Sequence, residues 1–181
     1  MVEALTAERR RERLSRFAAA MRWVSLALAV AGPVILIGVW LRFEAFAPSV
    51  MPGLRLSELL TGDRIGGYAI SMLPAAIGMW GFFHLARLFG RFAEGDLFDR
   101  DNAVRLRRFA VSLLAVIPAK IVAHALLSVW LTRAAEPGAR QLQISVSSTD
   151  VVLFAIGLLM VALATVLREA AAIADENRQF V

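Results

Sequence analysis

Four long apolar stretches, at about residues 18–41, 67–89, 109–132 and 149–170, constrain this chain more than any other feature. A helix needs about 20 consecutive apolar residues to cross about 30 Å of hydrocarbon, and each stretch is long enough. Composition agrees: 59% of the 181 residues are hydrophobic, against roughly 45–50% in soluble domains, and mean hydropathy is +0.64. A soluble fold has nowhere to hide that much apolar surface. The expectation is an all-α membrane protein, a bundle of four transmembrane helices forming a single membrane domain over 1–181.

The first stretch can be read as a signal peptide, and Ala45-Phe46-Ala47 resembles a cleavage site. The nineteen uncharged residues from Trp23 to Leu41 exceed a signal core of about 7–15 residues, and Pro48 would follow the cut. It is read as a permanent span. Before it, residues 4–22 form a basic amphipathic segment, with Leu14, Phe17 and Met21 at spacings of three and four, expected to lie along the inner membrane surface.

Nineteen of the twenty basic residues are Arg, and the net charge is +5. Six (Arg9, Arg10, Arg11, Arg13, Arg16, Arg22) precede the first span and six (Arg87, Arg91, Arg100, Arg105, Arg107, Arg108) lie between spans two and three. The other two loops hold three and two. Positive charge is retained on the cytoplasmic side, so both termini and the 90–108 loop are expected there. The bilayer is the expected partner of these arginines, with no direct nucleic acid.

In the loop at 42–66, Pro48, Pro52, Gly53, Gly62, Gly66 and Gly67 read as turn residues. Ala75, Ala76, Gly78 and Gly81 make a small-residue strip in the second span that admits a close helix neighbour. Residues 141–147 alternate apolar and polar side chains, which suggests a small extracytoplasmic β-hairpin with Leu54-Arg55-Leu56. Ser148, Thr149 or Asp150 caps the fourth span, and the tail 171–181 emerges inside.

Few residues can carry chemistry. No cysteine is present, which excludes disulfides and thiolate sites. Lys120 falls at mid-depth in the third span with no acid expected near it. A charge there costs at least about 2.5–3.5 kcal/mol, so it is a candidate functional group. The structural alternatives are a stem that snorkels inward, or a neutral amine bonded to backbone freed by Pro118. His124 lies one turn further on. His84 and His124 are the only imidazoles, and they differ by roughly 15 Å in depth, too far to share one haem iron. Each is expected to be hydrogen-bonded inside the bundle. Neither a metal site nor a cofactor is expected, and no catalytic motif occurs.

The segment Gly95-Asp96-Leu97-Phe98-Asp99-Arg100-Asp101-Asn102 reads as a turn at Gly95 followed by a helix capped by Asp99. Its acids do not follow the spacing of a calcium loop. This segment, with Leu88-Phe89, Phe92, Leu106-Arg107, the span end Leu167-Arg168-Glu169 and the closing Asp175-Glu176-Asn177-Arg178-Gln179-Phe180-Val181, resembles an uncharacterised bacterial four-helix membrane family, a domain of unknown function. The resemblance covers about residues 20–181. It implies residence in the bacterial plasma (inner) membrane and a neighbouring gene for a small helix-turn-helix regulator, hence a cytoplasmic protein partner. It supplies no catalytic residues.

The expected function is therefore a non-enzymatic membrane protein that engages a cytoplasmic partner through Gly95, Phe98 and Asn102 of the inner loop and Glu176 and Asn177 of the tail. The alternative is a small transporter, channel or sensor using Lys120 and His124. Composition leaves a homo-oligomer open.

Overall fold

A computed structural model describes residues 2–43, 61–96, 99–132 and 146–179. They form four helices: α1 over Val2–Leu41, α2 over Thr61–Glu94, α3 over Arg100–Thr132 and α4 over Ser148–Gln179. At 1.5 Å per residue these are about 48–60 Å long, well beyond the hydrocarbon thickness. All four are long and apolar enough to span a membrane, which makes the chain a multi-pass membrane protein. The described residues contain no strand; Leu54-Arg55-Leu56 and most of 141–147 lie outside them.

Each helix packs antiparallel on its neighbour in sequence, and among the described residues α1 and α4 do not meet. The bundle is open on that side. Large apolar residues face outward, including Trp23, Leu41, Ile35, Leu159 and Val166, while the buried positions are mostly small: Ala18, Ala29, Ala86, Ala103, Ala110, Ala123, Ala164 and Ala171. This inversion follows from the solvent. Lipid is as apolar as leucine, so burial between helices gains little and close van der Waals approach decides which faces meet. Buried hydroxyls return their protons to their own helices, as Ser25 does to Met21 O, Ser112 to Phe109 O and Thr132 to Ser128 O. None is left open to hydrocarbon.

Gly62, Gly66 and Gly67 belong to α2 and are not turn residues. Successive helical positions are about 100° apart, so Gly66 and Gly67 present bare backbone to two different neighbours. The indole of Trp130 from α3 lies over Gly66 and that of Trp40 from α1 over Gly67. Trp130 Nε1 donates to Asp63 O at 3.1 Å and Trp40 Nε1 to Ser71 Oγ at 3.2 Å. Trp40 also stacks on Phe43 and packs with Leu127, drawing three helices together at this end. In the small-residue strip, Gly81 receives Ser112 of α3, as packing requires.

Residues 4–22 belong to the same helix as the first span. They continue α1 without a break, because Ala18-Ala19-Ala20 supply strong helix formers at the junction. Ser15 Oγ donates to Ala93 O at 2.8 Å and Ala18 is buried, which holds this extension to the end of α2.

Gly67→Ala would drive a methyl into the Trp40 ring, which Phe43 backs, at a cost of about 1–3 kcal/mol. Gly38→Ala meets nothing within 4 Å and gains helix propensity. Thermal unfolding in detergent is expected to show a lowered midpoint for the first and an unchanged or raised one for the second.

Candidate functional site

Two places gather polar chemistry: the turn joining α2 to α3, and the third span at Lys120. The turn is built from local signals. Gly95 has φ +95°, a conformation that costs other residues a Cβ clash, and its N–H donates to Phe92 O while that of Asp96 donates to Arg91 O. This pair of bonds is the Schellman closure of a helix. Three residues on, Asp99 Oδ1 accepts from the N–H of Asp101 at 3.0 Å and Asp99 O from that of Asn102, so Asp99 caps α3. Both roles match the expectation from sequence.

Asn102 joins the two ends. Fully buried, it donates through Nδ2 to Asp96 O at 2.6 Å and accepts through Oδ1 from Arg105 Nη1 at 3.2 Å. Arg91, which sequence reasoning did not single out, is the hub. Its Nη2 lies 2.9 Å from Asp99 Oδ2 and 3.4 Å from Asp96 Oδ2, and its Nη1 lies 3.8 Å from Glu94. The Asp101 N–H and then the Arg91 guanidinium hold the Asp99 carboxyl below the usual carboxylate range. Phe98 lies outside the described residues. Glu176 is exposed near the end of α4, where Asn177 also falls, well away in sequence from the turn.

Lys120 is not alone in the span. Its Nζ donates to Asp150 Oδ1 at 2.7 Å, and the Asp150 side chain is only 5% exposed. The expectation of no nearby acid fails because α4 starts beside the middle of α3 rather than level with its end. Gly157 faces Leu113 and Leu114, so Ser148 lies near Val122, about 15 Å short of the end of α3 at Thr132. At this start the amides of Ser147 and Asp150 are both satisfied. Ser147 is the cap, rather than any of the three residues after it. Asp150 N donates to Ser147 O, and Asp150 Oδ2 accepts from Ser147 N at 2.8 Å and Oγ at 3.0 Å. Asp150 thus makes the reciprocal half of a capping box, its Oδ2 accepting from the Ser147 amide, and pairs with Lys120 through its other oxygen. The Ser-x-x-Asp spacing was the available signal.

His124 is half-buried and its Nδ1 has no hydrogen-bond partner, and the same holds for Nδ1 of His84. The hydrogen bonds expected inside the bundle are therefore not made through these two Nδ1 atoms. His84 instead sets its ring edge-on to Trp80.

Because Lys120 is the cation that offsets buried Asp150, Lys120→Met alone should lower the thermal midpoint by more than about 5 °C, and Lys120→Met with Asp150→Leu should recover part of that loss. A harmless single change would show that the pair is not coupled. At the turn, the depressed Asp99 pKa stabilises the fold fully above the unfolded value of about 3.9 and is lost as pH falls through the lower folded value. Hydrogen exchange at the Asp101 and Asn102 amides should accelerate below about pH 4 relative to mid-span amides, after correction for intrinsic rates. Asp99→Asn should remove that dependence.

A family model described as a protein of unknown function (DUF2975) matches residues 12–179. No curated protein and no solved structure matches the chain.

Proposed function

The chain belongs to the DUF2975 family of unknown function, and we propose that it is a non-enzymatic docking protein whose arginine-rich end faces the cytoplasm and holds a soluble partner. The Arg excess at that end supports the orientation, since positive loops stay inside, and the bacterial plasma membrane is the proposed residence. One observation carries the docking reading. A concavity of about 760 Å³ opens between the extension of α1 and the α2–α3 turn, outside the apolar spans, lined by Arg11, Ser15 and Arg16 on one side and Phe92, Gly95 and Asp96 on the other.

Charges of both signs around a partly apolar floor suit a protein surface, and the rigid turn presents them without an ordering cost. The tail 171–181, whose residues to Gln179 belong to α4, supplies the second contact. A helix-turn-helix regulator encoded beside the chain is the first partner to test. Co-expressed with it, the full-length protein should co-purify the regulator from detergent. Arg11→Glu, at an exposed position in the groove, or deletion of 174–181, should reduce recovery at least about fivefold while leaving the thermal midpoint unchanged. Equal recovery with both variants would overturn the reading.

The Lys120–Asp150 pair favours one second reading, a small transporter, channel or sensor. Its test is whether Lys120→Met with Asp150→Leu, once shown to be folded, reproduces the phenotype of deleting the gene.

A further inference from the structure

We propose that the inner-end groove between α1, α2 and α3 is a binding site for one anionic phospholipid, its phosphate held by Arg22 and Arg87. The site shares only Glu94 with the docking groove and does not depend on it. It is an open concavity of about 340 Å³, lined by arginines from three helices: Arg22 on α1, Arg87 and Arg91 on α2, and Arg105 on α3. These four are not equivalent. Arg91 is engaged by Asp99, Asp96 and Glu94, and Arg105 by Asp101 and Asn102. Arg22 and Arg87 have no carboxylate partner among the described residues.

Both are nonetheless placed. Gly90 has no side chain, so the Arg22 stem and guanidinium lie across α2, within 3.6–3.8 Å of where a Cβ would stand. Arg87 sits with its guanidinium carbon 4.3 Å over the Phe83 ring. Each guanidinium is a planar fork of N–H donors, the group that recognises a phosphate, and the two line one concavity. Glu94, at the rim, is the one acidic lining residue, and Arg91 lies beside it.

The apolar side of the same groove identifies the rest of the ligand. Leu26, Phe83 and Ala86 line the concavity on its membrane side. Beyond them Trp80, Ile77 and Leu73 continue along α2 and border a second, almost wholly apolar hollow with Val111 and Ala115 of α3. Positions 73, 77, 80, 83 and 87 step by three or four, so they share one face of α2. From Arg87 to Leu73 this face runs about 21 Å, the length of a lipid acyl chain. Trp80, Phe83 and Leu73 are each more than two-fifths exposed along it. A free phosphate would use only the charged end, whereas a phospholipid uses both. Trp23, 70% exposed beside Arg22, marks this level as the membrane interface.

The test is native mass spectrometry of the full-length protein in detergent with dioleoylphosphatidylglycerol or dioleoylphosphatidylcholine. The wild type is expected to retain the anionic lipid at least about tenfold more tightly. Arg22→Gln with Arg87→Gln, both exposed positions, should abolish that preference. Arg9→Gln with Arg13→Gln, an equal charge loss outside the groove, should keep it, and glycerol phosphate or inorganic phosphate at the same concentration should not displace the lipid. Three results would overturn the proposal: an undiminished preference in the first variant, an equal loss in the second, or displacement by the soluble anions, which would make this a free-phosphate site.

Discussion

Lipid in place of water as the solvent for apolar side chains is the constraint on which the rest of this structure depends. With no hydrophobic force to press the helices together, the seams are made where backbones can come close, at alanines, serines and glycines, and the bulky residues are turned outward. Gly66 and Gly67 show how specific this becomes. Two adjacent missing side chains admit two tryptophans from opposite neighbours, and each indole N–H finds an acceptor on α2. Pairwise packing of this kind does not require the bundle to close, and α1 and α4 stay apart.

The same solvent makes every unpaired polar group costly, which explains the chemistry around Lys120. The start of α4 lies beside Lys120 of α3, short of that helix's end at Thr132, and a helix start carries amides without intrahelical acceptors. Asp150 and Ser147 answer that need locally, and the lysine offsets the charge the aspartate brings. Ammonium, carboxylate and cap form one neutral unit. A charged residue that looks functional in isolation is here part of what lets the fourth helix begin where it does.

At the basic end, acids divide the arginines into two populations. Arg91 and Arg105 are committed to the turn, where a glycine closure, an aspartate cap and the buried Asn102 leave little freedom. Arg22 and Arg87 are positioned by a glycine and an aromatic ring instead, so their donors remain available. Arginines committed to the turn and arginines free of carboxylates follow from this single division.

What could be read in the sequence was local. The four spans, the left-handed Gly95 and the Asp99 cap all rest on interactions within a few residues of the chain, and each stands in the structure. The partners across helices were decided only by tertiary packing: Asp150 for Lys120, two indoles for the Gly66-Gly67 pair, and Ser15 against Ala93, which keeps the amino-terminal segment in line with α1. The physical reason is that relative helix height is set by many weak contacts, summed along seams between residues far apart in the chain. Hydropathy placed Asp150 at the surface because it marks where apolar residues begin. It carries no information about how deep the neighbouring helix lets that beginning sit.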